Sequence, residues 1–251
     1  GLGDVYKRQV VGRWLGPGAL GLYQQAFKIM LLPGKFFVDV LERVVFATIS
    51  KIQGQPDRLA NVYLRSISLT MLSLLPISAV MIVLTPELVL IMLGPNWKDA
   101  IVPAQILLLG VSFLTAARVS AAFVGAMGAV YRIAARTGVH AVAVVLGSWL
   151  GQNWGISGVA IGVTLVIMLN YMLMLQLALR LTTNTWTNYL KAMFPGILLG
   201  GIAFLVCTFV TNFLRAVTAS PILVLGPAVL ATIIILSAIV NIFPQVLGPV
   251  G

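Results

Sequence analysis

The chain reads as long apolar runs broken by short polar clusters, and the runs have the length of bilayer-crossing helices. A spanning helix needs about 20 predominantly apolar residues. Charge-poor windows that meet or approach this length lie at 67–84, 100–127, 139–150, 156–179, 192–214 and 222–242. The stretch 137–179 contains no Lys, Arg, Asp or Glu. As one helix it would be about 65 Å long, twice the hydrocarbon thickness, so it must turn. The Gly-Gln-Asn-Trp-Gly segment at 151–155 predicts that turn, and the short 139–150 core predicts a helix that starts nearer Ile133. A further span is predicted over 19–46, which is apolar overall but carries Lys28, Lys35, Asp39 and Glu42. The fold class is therefore expected to be all-α, a polytopic helical membrane protein with about seven transmembrane helices.

Glycine spacing adds a packing expectation. Gly147 with Gly151, Gly158 with Gly162, and Gly196 with Gly200 are small-xxx-small pairs, which let helices approach closely. They predict packing of spans on one another and do not identify a site.

Composition agrees with this pattern. Apolar residues make up 60% of the chain and charged residues 9%, against about 25% charged in an ordinary soluble domain. The mean hydropathy is +1.04. So little charge cannot wet the outside of a fold, so lipid is the expected solvent. The formal net charge is +10, from 16 basic and 6 acidic residues. These cations are scattered singly between apolar runs, with no basic cluster interleaved with aromatics, so nucleic acid is not an expected partner. Their distribution predicts orientation instead. Alternate connections hold Lys51, Arg58, Arg65, Arg132, Arg136, Arg180 and Lys191, whereas the opposite ones hold Lys98 and Arg215. The richer side is expected to be cytoplasmic, which places the C-terminus inside and the segment around Arg13 outside. Tyr131, Trp154, Trp186 and Tyr189 fall near predicted span ends, where amphipathic rings favour the headgroup layer. Cys207 lies in an apolar run with no second cysteine, so it is expected to pack rather than to form a bridge. The opening residues 1–9, GLGDVYKRQ, are polar and abrupt. They are expected to be a non-native or truncated leader, ahead of a membrane domain over 10–251.

The charged first span carries the functional signal. At 100° per residue with Gln24 at 0°, Lys28 falls at about 40°, Lys35 at about 20°, Asp39 at about 60° and Glu42 at about 0°. The polar side chains thus share one sector of an otherwise apolar helix, and Pro33-Gly34 lies on the opposite side, where a kink would blur the angles. A charge near the bilayer centre costs about 2.5–3.5 kcal/mol, so the stripe should face protein or a hydrated cavity. Lys35 and Asp39 are spaced for pairing, as are Asp39 and Arg43. Lys28 has no acid three or four residues away. Two readings remain: a snorkelling Lys28 beside a structural ion-pair ladder, or a cationic cavity wall facing an anionic cargo. Arg118, deep in the 100–127 run with Ser112, Thr115 and Ser120 nearby, is a second candidate; pairing with Asp39 or Glu42 across helices is its structural alternative. His140 is expected to be a packed core histidine rather than a proton relay.

No nucleophile–base set, carboxylate pair, metal-ligand spacing or phosphate-binding glycine motif stands out, so catalysis, a metal and an organic cofactor are not expected.

Three segments carry a family resemblance: VVGRWLGPGALGLYQQAFKIMLLP at 10–33, LERVVFATISKIQGQPDRLANVYLRSISL at 41–69 and LTPELVLIMLGPNWKDAIVPAQILLLG at 84–110. They resemble the C-terminal half of bacterial oligosaccharide flippases, polysaccharide exporters of the superfamily that also holds multidrug extrusion transporters and the lipid II flippase. The more specific pieces are the GR-x-LG-x-x-ALG-x-Y opening and the PELV…LG-x-x-W segment; beyond about residue 110 only hydropathy and spacing agree. Ala47 stands where the family often has proline after the VVF segment.

The resemblance implies a chain about twice this length, with two helical lobes around a central cavity. This chain would be most of the second lobe plus the last two spans, and the N-terminal lobe would be its partner. It also implies a bacterial inner-membrane location, alternating access, and a cargo that is a polyprenyl-diphosphate-linked oligosaccharide. On that reading Lys28, Lys35 and Arg118 offer positive charge to the diphosphate. Gln24 lies on the same wall, and Asp39 tunes Lys35 or couples to H+ or Na+. Membrane lipids are the remaining expected partners. Two alternatives stay open: a cation-coupled drug exporter of the same superfamily, and a non-transporting scaffold of a glycan-assembly complex.

Overall fold

The computed structural model describes residues 16–52, 56–182, 184–218 and 220–242, with side-chain environments for 16–34, 57–182, 184–218, 220–239 and 241. The leader at 1–9 and Arg13 lie outside the described residues, as do the side chains of Lys35, Asp39, Glu42 and Arg43.

The described residues form α-helices and two 3-10 turns, without strands. The helices are α1 (Gly16–Ile52), α2 (Pro56–Met92), α3 (Ile101–Ala126), α4 (Val130–Gly151), α5 (Gly155–Leu181), α6 (Trp186–Val217) and α7 (Pro221–Ile242). Each predicted apolar window falls inside one of them to within a residue at either end. The expected turn at 151–155 is a 3-10 turn over Gln152–Trp154, closed by Gly155 at φ 66°. The helix before it starts at Val130, close to the expected Ile133. Among the described residues, five stretches are long and apolar enough to cross a membrane: Asp57–Met92, Pro95–Ala126, Val130–Leu181, Trp186–Val217 and Pro221–Ile239. The third of these contains both α4 and α5. The chain is an all-α, multi-pass membrane protein.

The helices run further than hydropathy alone marks. Glu87 lies beyond the 67–84 window and is buried inside α2, and Arg215, expected in a connection, lies in the last turn of α6. Asp57 belongs to the first turn of α2. Apolar windows end where charge begins, but backbone hydrogen bonding continues as long as the side chains find partners.

Packing places α3 at the centre, against α1, α2 and α5, while α4 lies on α5 and α6 packs along α2. The glycine pairs carry two of these interfaces. Gly147 and Gly151 on α4 face Gly162 and Gly158 on α5, so this hairpin is antiparallel and a Cβ at Gly151 would overlap the Gly158 carbonyl. Gly196 and Gly200 press on α2 at Met71 and Leu75, so α2 and α6 run parallel; a Cβ on Gly196 would sit 2.6 Å from the Met71 carbonyl carbon.

Near the start of α2 and α6, a buried cluster ties four helices together. Tyr63 hydrogen-bonds Ser120 at 2.9 Å, and Tyr171 hydrogen-bonds Tyr189 at 2.8 Å. Phe123 and Phe113 lie tilted against Tyr63 and Tyr171. Hydroxyls inside an apolar bundle must find partners, and here they find each other. At the other end of these two helices, Arg215 on α6 engages Glu87 on α2 through both carboxylate oxygens, Nε to Oε1 at 2.8 Å and Nη2 to Oε2 at 2.9 Å.

Candidate functional site

The buried face of α1 consists of Tyr23, Ala26, Ile29, Met30, Pro33 and Gly34. With Gln24 at 0° these residues span about 140–280°, opposite the predicted polar stripe. Gly34 lies against Thr115 and Val111 of α3. The described part of the stripe therefore points away from the helices packed on α1 among the described residues: Gln24 is half-buried and Lys28 is exposed. Lys28 sits about 18 Å along the helix from Gly16, on a flank that the other described residues leave uncovered.

Beside that flank a cavity of about 270 Å³ opens between α1, α3, α4 and α5. Its polar wall is Arg118 from α3, Thr137 and His140 from α4, and Asn170 from α5; Phe27 of α1 and Met174 of α5 are among its apolar residues. Arg118 is exposed to this opening and forms no ion pair or hydrogen bond among the described residues. Among the described residues, the cavity wall includes no carboxylate. His140, expected to be a packed core histidine, is half-buried in the cavity wall.

The structure thus joins Arg118 to His140 and places both near α1. It does not bring Gln24 or Lys28 into the same wall: Phe27, adjacent to Lys28 in sequence, is the lining residue from α1. The side chains of Lys35 and Asp39 lie outside the described residues. Thr137 and Asn170 are polar members that the sequence reading missed. The available signal was Asn170, an amide in the apolar run 155–179 of a spanning helix, where a polar group needs a partner or a hydrated cavity. The site offers a guanidinium, an imidazole, an amide and a hydroxyl in a partly open pocket. That set can bind and orient an anionic or heavily hydroxylated group.

Comparisons with known proteins place these observations. Residues 5–102 match the family described as polysaccharide biosynthesis protein. The fold is similar to that of the lipid II flippase MurJ in an inward closed conformation, with a TM-score of 0.74 and 17% sequence identity over 97% of this chain and 51% of that one. The chain spans about half the length of the structure it matches. No curated protein matches it by sequence. The resemblance to polysaccharide-biosynthesis membrane proteins is borne out by the family match over the N-terminal part of the chain, and over nearly all of the chain the fold is similar to that of the MurJ structure.

Proposed function

We propose that this chain is the second half of a transporter that flips a polyprenyl-diphosphate-linked oligosaccharide across a bacterial inner membrane, and that it is not an enzyme. The observation that carries the reading is Arg118, a guanidinium without a carboxylate partner among the described residues, in a cavity whose other polar groups are neutral or basic. A cation inside a membrane domain is costly unless it serves a pathway or binds a ligand. An anionic diphosphate is the cargo that such a wall attracts. The family match and the MurJ-like fold support the same class of cargo.

Lys28 extends the proposal to α1. Its exposed flank would face the N-terminal lobe across a central cavity, with Gln24 beside it and Lys35 and Asp39 further along the same stripe. H+ or Na+ would couple through Asp39. In this account the ends of the helices bearing Arg58, Arg65, Arg132, Arg136, Arg180 and Lys191 are cytoplasmic, which puts the C-terminus inside.

A drug exporter for cationic compounds would favour an acidic wall, and the cavity at Arg118 has the opposite sign. The test is complementation of polysaccharide export by the full-length protein. Arg118→Ala is expected to reduce export strongly while the protein still inserts in the membrane; unimpaired export would contradict the proposal.

A further inference from the structure

A second polar pocket, of about 370 Å³, lies between the beginnings of α2 and α6 and is lined by Asn61, Leu64, Arg65, Asn188, Lys191 and Ala192. It shares no lining residue with the Arg118 cavity, whose described lining comes from neither of these helices. The parallel register of α2 and α6, fixed by Gly196 against Met71 and Gly200 against Leu75, brings Arg65 and Lys191 to the same level. Both side chains are exposed, and neither forms an ion pair or hydrogen bond among the described residues. The two asparagine amides lie toward the helix starts and add donors. The positive ends of two parallel helix dipoles lie on the same side.

The surroundings distinguish a lipid from a soluble ion. Trp186 at the start of α6 is exposed, as are Leu190, Phe194 and Ile197 on the turns that follow. An exposed tryptophan followed by an exposed apolar face is the profile of a helix entering the bilayer from the headgroup layer. The cations therefore sit at headgroup depth, with acyl-chain surface next to them.

We propose that Arg65 and Lys191, with Asn61 and Asn188, form a binding site for the phosphate of an anionic phospholipid such as phosphatidylglycerol. The site is separate from the cargo path. The lipid phosphate bridges α2 and α6 at the end opposite the Glu87–Arg215 pair, so the two parallel helices are tied at both ends. The inference needs the membrane fold but not the flippase proposal, and it would stand if the chain transported something else.

The test uses the full-length protein in nanodiscs of phosphatidylcholine with and without phosphatidylglycerol, with retained lipids counted by native mass spectrometry. Wild type is expected to retain one phosphatidylglycerol in preference to phosphatidylcholine. Arg65→Gln with Lys191→Gln should reduce that preference by about 25-fold, since each cation near a headgroup contributes about fivefold. Arg65→Lys with Lys191→Arg should restore most of it, which separates loss of charge from loss of fold. Arg132→Gln with Arg136→Gln, on α4, should leave the preference intact. Retained preference in the Arg65/Lys191 double glutamine variant would overturn the site. Full displacement of the lipid by inorganic phosphate would overturn the assignment to a phospholipid.

Discussion

Arg215 on α6 and Glu87 on α2 form a two-point ion pair, and Nη2 of the same arginine also donates to the Val83 carbonyl at 3.2 Å. The carboxylate is buried, whereas the guanidinium side chain is 38% exposed. Fork-to-carboxylate geometry fixes the relative rotation of the two helices as well as their distance. Together with Gly196 and Gly200 it sets the register of the most extensive interhelical contact in the fold.

Glu87→Gln should lower the melting temperature of the detergent-solubilised protein, with a loss of about 1–3 kcal/mol, because a charged donor pair is left half-satisfied. A double-mutant cycle with Arg215→Met should return a favourable coupling between the two positions. Additive losses would mean that the pair does not hold the helices together.

Gly196 and Gly201 give a controlled comparison on one helix. Gly196→Ala drives a Cβ into the α2 backbone, whereas a Cβ at Gly201 meets nothing within 4 Å. The first substitution should destabilise by about 1–3 kcal/mol; the second should be neutral or slightly stabilising. Thermal unfolding of the two variants side by side checks both.

Hydroxyl removal within the tyrosine cluster should also be measurable. Tyr189→Phe deletes one side of the 2.8 Å bond to Tyr171, whose hydroxyl retains Met193 Sδ at 3.1 Å. The expected loss is about 1 kcal/mol in thermal or denaturant unfolding, less than for removal of a ring.

Most of the fold is legible in the sequence because each helix has to satisfy its own backbone in lipid, which forces apolar runs of a set length. The glycine interfaces are legible for a related reason: where two backbones touch, no side chain fits. The reach of α2 to Glu87 and of α6 to Arg215 was not legible, since each charge is tolerated only through its partner 128 positions away. The site divides in the same way. Arg118 stands out against its apolar run, and the stripe on α1 appears as an angular cluster whose described members face away from the packed side. Asn170 is a polar outlier in its apolar run, Thr137 is unremarkable in its helix, and both become part of a site only when α4 and α5 fold against α3. Nothing in the sequence joins His140 to Arg118, and only the packing of the helices sets it in the same cavity wall.

Exposure of the α1 flank can be tested by cysteine labelling in the full-length protein. Lys28→Cys should react with a membrane-impermeant thiol reagent, and Met30→Cys, on the buried face, should not. The native Cys207 is fully buried and should contribute little background. A non-transporting scaffold, with the stripe sealed by protein, predicts no reaction at either position.

The most direct test of the central claim is flipping of a polyprenyl-diphosphate oligosaccharide by the full-length protein in proteoliposomes, with Arg118→Ala compared with Arg118→Lys. Loss of charged hydrogen bonds to a phosphate predicts a fall of about tenfold to a hundredfold in rate for the alanine variant, at about 1.5–3 kcal/mol, with partial retention for lysine. Equal rates for wild type and Arg118→Ala would contradict the account.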